Sequence, residues 1–144
     1  MSIQIVGDVV SQPVRATWAL CLCNPEKIKD WKRVDIRLSK AENKTKEMME
    51  KNPSGKVPFM IEVGEDGREN LRLFESHTIL KYICAKYSLP DHWYPTSPNR
   101  DIILQARMDV YLDWHHAGLR LGVTGYLVRA HFSGLLLPSK QWAT

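Results

Sequence analysis

Asn52-Pro53-Ser54-Gly55-Lys56-Val57-Pro58, followed seventeen residues on by Glu75-Ser76, is the stretch on which the fold turns. A strand reached through Val57-Pro58 leaves backbone groups unpaired at the turn, because proline donates no N–H, and a turn proline of this kind is a candidate for a cis peptide bond. Those groups can pair with the backbone of an extended ligand. Ser76 follows an acidic residue and precedes Ile79, Leu80, Tyr82 and Ile83, an apolar rhythm that marks a helix start. The orphan N–H groups and dipole of such a start attract a carboxylate. Singly, X-Val-Pro is most often a strand end and Ser at a helix start a cap; paired, they describe a clamp for the two ends of a short peptide.

Upstream, Ile3, Ile5 and Val9-Val10 form a β-rich opening that reaches Ser11-Gln12-Pro13, after which Val14, Trp18, Ala19 and Leu22 recur at helical spacing. Pro13 in the first turn and Asn24-Pro25 beyond the end bracket a helix over about Pro13 to Cys23. With Pro13 at the first helical position, Gln12 is the cap and Ser11 lies one residue outside it. Trp31 to Leu38 alternates apolar with polar and predicts a second strand. Lys44 to Lys51 is polar with Met48-Met49 inward, a short helix or irregular turn. Phe59 to Val63 and Leu71 to Phe74 are strands joined by the charged tip Gly64 to Asn70, and Ser76 to about Tyr87 is a third helix. The order βαβαββα, with an antiparallel hairpin closing a mixed sheet, predicts an α/β layer architecture.

Ser88 to Asn99 holds three prolines in twelve residues and reads as a linker. From Asp101 the pattern is long and helical, with Ile102, Ile103, Ala106, Val110, Tyr111, Trp114 and Leu121 supplying an apolar stripe. The expected organisation is a domain over residues 1–88, a linker over 89–100 and a helical region over 101–144.

With 25% charged and 44% hydrophobic residues, the 144-residue chain has a globular composition and enough length to bury a core without staples. The net charge of +4 is mild, and the lysines are spread from Lys27 to Lys56, which favours small anionic ligands over nucleic acid. Cys21, Cys23 and Cys84 lack the C-x-x-C spacing of a redox or zinc motif, so reduced thiols are expected. His115-His116 point about 100° apart on a helix and do not suit one metal ion. No secretory signal, no run near the roughly 20 apolar residues of a membrane span and no address in Gln141 to Thr144 are read, so the cytoplasm is the expected location.

With these residues in place, the chain resembles the N-terminal portion of a theta-class glutathione S-transferase, plant-type members most closely. The resemblance rests on Ser11-Gln12-Pro13-Val14-Arg15-Ala16, Asn52 to Pro58, Phe74-Glu75-Ser76-His77-Thr78-Ile79-Leu80, Asp91-His92-Trp93-Tyr94-Pro95 and Asp113-Trp114-His115-His116, in the family's order over roughly residues 1 to 130. It implies a thioredoxin-like βαβαββα domain followed by the start of an all-helical domain. It also implies conjugation of glutathione, a co-substrate rather than a cofactor, to small electrophiles, or reduction of organic hydroperoxides. Ser11 is the implied catalytic hydroxyl. The chemistry suits the position: a thiol of pKa about 8.5 is mostly protonated at neutral pH, and a donor aimed at sulfur favours the nucleophilic thiolate.

By the same resemblance Gln12 belongs to the glutathione site, Lys56 approaches the glycine carboxylate, and Val57 with Pro58 pairs with the cysteinyl backbone. Glu75 and Ser76 take the γ-glutamyl amine and carboxylate. Asn43 and Lys44 occupy the place of the polar or basic pair before the second helix. Asp109 stands where theta-type enzymes reach across a dimer interface, so a homodimer, or a heterodimer with a family member, is implied; Arg15 and Arg107 are further cleft candidates.

The sequence departs from the pattern after Arg129, where the family continues for several more helices. It runs instead through His131 to Lys140, with Leu135-Leu136-Leu137 before Pro138, and reads as a shortened product. On that expectation the glutathione half-site is kept while the walls of the electrophile pocket are not, the stripe on the long helix is partly wet, and Gly118, Gly122 and Gly125 weaken its second half. A glutathione-binding or interaction module with weak turnover is the alternative reading.

Overall fold

A computed structural model describes residues 1–124, apart from the side chains of Leu121, Val123 and Thr124. The expected positions Gly125, Arg129 and Leu135 to Leu137 lie outside the described residues. The elements are β1 (Ser2–Gly7), α1 (Gln12–Leu22), β2 (Trp31–Asp35), 3₁₀ turns at Leu38–Lys40 and Glu42–Lys44, and α2 (Lys46–Lys51). They continue as β3 (Phe59–Val63), β4 (Glu69–Phe74), α3 (Ser76–Lys86) and α4 (Ile102–Trp114), which runs on into a π-helical stretch, His115–Thr124. The chain divides into two compact units, Met1–Arg100 and Asp101–Thr144.

In the first unit the strands form one sheet ordered β2-β1-β3-β4, with β1 parallel to β2 and the other neighbours antiparallel. This is the βαβαββα order of a thioredoxin-like domain. Strand alternation splits the apolar residues between two faces. Val6, Ile36, Phe59 and Ile61 make the core of one face, against which Val34, Leu38, Met48 and Val57 pack. Ile3, Ile5 and Met60, fully buried, supply the other face together with α1 (Val14, Trp18, Cys21) and α3 (Ile79, Ile83, Cys84). Each such large apolar side chain is worth about 1.5–3 kcal/mol when fully buried.

On the second face β3 also carries Glu62, buried amid this apolar surface. The Tyr82 hydroxyl donates to its Oε2, and the Lys86 ammonium lies 2.9 Å from the same oxygen. Burial pushes the Glu62 carboxyl up, but these two hydrogen bonds and the Lys86 charge outweigh it and hold the group below its ordinary range. Burial and the bond to Glu62 raise the Tyr82 phenol.

Several element ends differ from the sequence expectation. β1 stops at Gly7 rather than running through Val10, because an Asp8 carboxylate oxygen takes the Val10 N–H at 3.1 Å and turns the chain. The second Asp8 oxygen accepts from Leu38 N–H at 2.8 Å, which draws the chain after β2 away from the ladder. The hairpin tip is shorter than expected: β4 begins at Glu69, and Gly64 N–H meets the Arg68 carbonyl at 2.8 Å.

Within the stretch read as a linker, Leu89, Tyr94 and Pro95 are buried. In the second unit Asp101 caps α4, its Oδ1 accepting from Ile103 and Leu104 N–H at 2.9 and 3.0 Å. Ile102 and Val110 are 69% and 70% exposed, and Tyr111 and Trp114 are exposed as well. The long helix read from Asp101, with its second half weakened by glycines, changes from α to π at His115, in the region of Gly118 and Gly122. No helix among the described residues is long and apolar enough to cross a membrane.

Candidate functional site

The strand register collects the site. Val6 of β1 faces Phe59 of β3, and Phe59 in turn faces Phe74 of β4, while Gly7 stands opposite Asp35 of β2. The C-terminal ends of β1, β2 and β4 and the N-terminal end of β3 therefore share one end of the sheet. Ser11 follows β1 there, Leu38 to Lys44 follows β2, Val57-Pro58 precedes β3, and Glu75-Ser76 follows β4. Residues distant in sequence are brought to one edge by pairing alone.

Ser11, half-buried, is the N-cap of α1, and Gln12 is the first helical residue, with Pro13 second. The helix thus begins one residue earlier than its proline implies, which moves the cap from Gln12 to Ser11. Pro13 is tolerated because its missing N–H is among those with no intrahelical partner. The Ser11 side chain makes no capping hydrogen bond. Its hydroxyl therefore sits at the positive end of an eleven-residue helix without being spent on it.

The loop before β3 is held from inside by Asn52, only 2% exposed. Its Oδ1 accepts from Ser54 N–H at 3.1 Å and from Ser54 Oγ at 2.8 Å, and its Nδ2 donates to the Lys56 carbonyl at 2.7 Å. Gly55 takes φ of +58°, a conformation glycine enters without strain. The Val57-Pro58 bond is cis. Val57 stands outside the ladder that begins at Phe59, and its N–H and carbonyl take no partner among the described residues. An extended ligand can add to the sheet there. Lys56 is exposed beside it.

Asn43 and Lys44 come to the same loop. Asn43 Nδ2 donates to the Gly55 carbonyl at 2.6 Å, and Lys44 Nζ lies 3.5 Å from the Ser54 carbonyl. At the start of α3, Glu75 is the N-cap with φ of 64° and ψ of 118°, strained for any residue with a Cβ. Ser76, buried at 5%, is the first helical residue. The α3 N-terminus and the cis turn so stand at the same end of the sheet, a donor array for an anion beside unpaired backbone for a peptide.

Asp109 and Arg107 lie on α4, in the second unit. The thiols take no part at this sheet end: burial and the neighbouring Cys84 push Cys21 up to about 12, burial pushes Cys84 up to about 11, and Cys23 lies beyond the last turn of α1. Sequence reasoning gave no role to Asp8 and named Asn52 only as part of its motif. Asn52 was legible as an Asx turn, since Asn two residues before Ser offers its side chain to that backbone. Asp8 sits where a strand was read and gave no such signal. Arg15, taken as a cleft candidate, donates through Nη1 to the carbonyls of Val9 at 2.7 Å and Val10 at 3.1 Å.

Residues 8–85 match the family described as glutathione S-transferase, N-terminal domain. Glutathione S-transferase T2 of Arabidopsis thaliana is 39% identical over 131 residues, which is 90% of this chain and 20% of that relative. Glutathione S-transferase T1 of the same plant is 38% identical over 131 residues, 90% of this chain and 48% of the relative. The human theta-class glutathione transferase in complex with the glutathione conjugate of 1-menaphthyl sulfate superposes with a TM-score of 0.64 at 34% identity, covering 80% of this chain and 42% of the other. The chain thus spans about half the length of one curated relative and a fifth of the other.

Proposed function

The chain belongs to the glutathione S-transferase family, and from that premise we propose that it binds glutathione at the end of the sheet and presents its thiolate to small electrophiles. The observation that carries this reading is the register row Val6–Phe59–Phe74, which gathers Ser11, Val57-Pro58 and Glu75-Ser76 at one edge. In this reading the cysteinyl backbone of glutathione pairs with Val57 beside Pro58, as a short added strand. The γ-glutamyl carboxylate sits on the α3 N-terminus at Ser76, and Glu75 faces its amine. Lys56 and Lys44 attract the glycine carboxylate, and Asn43 contributes by fixing the Gly55 loop from which Lys56 and Val57 follow. Gln12 borders the sulfur end.

Ser11 supplies the chemistry. Its hydroxyl donates to the glutathione sulfur, and the α1 dipole adds to the same preference for negative charge. Each unit by which the thiol pKa falls corresponds to about 1.4 kcal/mol of preference for the thiolate. One hydrogen bond to an ionised partner, at about 1.5–3 kcal/mol, accounts for one to two units. The thiolate then attacks an electrophilic carbon, forming a C–S bond as the leaving group departs with its electron pair. With an organic hydroperoxide the thiolate attacks the terminal oxygen and cleaves the O–O bond; the alkoxide leaves and takes up a proton to give the alcohol, and the sulfenic acid condenses with a second glutathione, releasing water, to give the disulfide. Asp109 on α4 serves the glutathione site of a second copy, or of a family member, in a dimer, and the cytoplasm supplies glutathione.

The test is retention of the purified chain on immobilised glutathione, followed by a steady-state conjugation assay. Binding with turnover that Ser11→Ala reduces supports the assignment. A chain that neither binds nor turns over contradicts it.

A further inference from the structure

Among the described residues, the polar ties that hold the turn between β1 and α1 come from two side chains or from the turn's own backbone. Ser11 N–H donates to the Asp8 carbonyl at 3.0 Å, and Asp8 Oδ1 takes the Val10 N–H at 3.1 Å. Asp8 Oδ2 meanwhile anchors the turn to Leu38 N–H at 2.8 Å. The two carbonyls that remain, of Val9 and Val10, both accept from Arg15 Nη1, at 2.7 and 3.1 Å. Arg15 is itself rooted on the turn, its backbone N–H donating to the Ser11 carbonyl at 3.1 Å. Apolar burial does not hold this segment, since Val9 and Val10 are 50% and 68% exposed. Hydrogen bonds alone set its shape.

We propose that Arg15 is a positioning residue for Ser11, clasping the Val9 and Val10 carbonyls so that the uncommitted Ser11 hydroxyl meets the ligand's sulfur in one fixed geometry. The proposal rests on the reading of Ser11 as thiolate donor given above. A hydroxyl at the junction of a turn and a helix inherits the position of both. The helix is fixed by Val14, Trp18 and Cys21 in the core, whereas among the described residues the side chains that tie the turn are those of Asp8 and Arg15. A hydrogen bond weakens steeply as its angle opens, so a turn free to sample several shapes dilutes the stabilisation of the thiolate without dismantling the peptide clamp on β3 and α3. Arginine suits the task because the two hydrogens of Nη1 are fixed in the guanidinium plane, whereas a lysine ammonium is shorter in reach and rotates freely.

The experiment measures the pKa of the bound glutathione thiol, from the ultraviolet absorbance of the thiolate in the binary complex, for the full chain and for Ser11→Ala, Arg15→Met, Arg15→Lys and the double variant Ser11→Ala/Arg15→Met. Expected are a raised thiol pKa in Arg15→Met, a glutathione Kd changed less than about threefold, and a double variant no worse than Ser11→Ala alone, because Arg15 acts through Ser11. Arg15→Lys, which keeps the charge but not the fixed planar donors, is expected to show more than half of the Met variant's rise. It serves in the double variant should Arg15→Met not fold. Additive effects of the two sites would overturn the proposal, as would full restoration by lysine, which would show that a freely rotating cation serves as well as the fixed planar donors. A thiol pKa unmoved in Ser11→Ala would refute the reading of Ser11 itself and the proposal with it, an outcome distinct from a failure of Arg15 alone.

Discussion

In the proposed reading, Ser11 and Lys56 are two kinds of residue at this sheet end, one to act on sulfur and the other to attract the ligand. Ser11→Ala is expected to raise the pKa of bound glutathione by about one unit, the worth of about 1.4 kcal/mol, and to lower kcat about tenfold at neutral pH with little change in KM. Lys56→Met is expected to do the reverse, raising the KM for glutathione several-fold while kcat holds, because an exposed cation binds ground and transition states alike. Steady-state kinetics with glutathione as the varied substrate separates the two. At this scale the sequence was informative where a residue type has one purpose in its setting. Proline in X-Val-Pro pointed to the turn before β3, and the acidic-then-Ser step pointed to the α3 start. It was less informative where the backbone decides: Pro13 suits either of the first two helical positions, so the cap could be placed on Gln12 or Ser11 only by seeing the turn that Asp8 makes.

The loop from Asn52 to Pro58 and the start of α3 are single devices whose conformation matters more than any one contact. A Cβ at Gly55 would lie 2.3 Å from Lys44 Nζ and 2.9 Å from Met49 Sδ, on a backbone with φ of +58°. Gly55→Ala is therefore expected to cost about 1–3 kcal/mol, read as a lower urea midpoint at unchanged slope, and to weaken glutathione binding with it. Glu75→Gly relieves the strain at φ of 64°, up to about 1 kcal/mol that offsets the interactions Glu75 loses, and in the proposed reading it loses affinity for glutathione because the amine's partner is gone. Thermal denaturation with and without glutathione checks both halves of that statement. Element order was legible because each strand carries its own alternation and each helix its own spacing. Element ends were not, because Asp8 reaches from one strand end to Val10 and, across thirty residues, to Leu38.

Across the whole molecule, stability is linked to pH through the Glu62 group on the far face of β3. Glu62 titrates below its ordinary 4.5 when folded, so the stability it contributes is fully present above about pH 4.5 and is lost as the pH falls through the folded value. Tyr82 is raised above its ordinary 10.0, so its contribution is present below pH 10.0 and lost as the pH rises through the folded value. Glu62→Ala is expected to cost about 1–3 kcal/mol near neutral pH and to flatten the acid limb of the stability profile. Urea midpoints measured across the acid range check this. No sequence signal announced the group, since Glu62 in an alternating strand reads as an outward charge until α3 is seen to cover that face. The central claim is that one sheet end gathers Ser11, Val57 and Ser76 into a single glutathione site, and amide chemical shifts during a glutathione titration test it most directly. The amides of Ser11, Lys56, Val57, Glu75 and Ser76 are expected to shift together and saturate with one shared Kd. Shifts that do not saturate, that differ in Kd between these segments, or that fall elsewhere on the chain would contradict it.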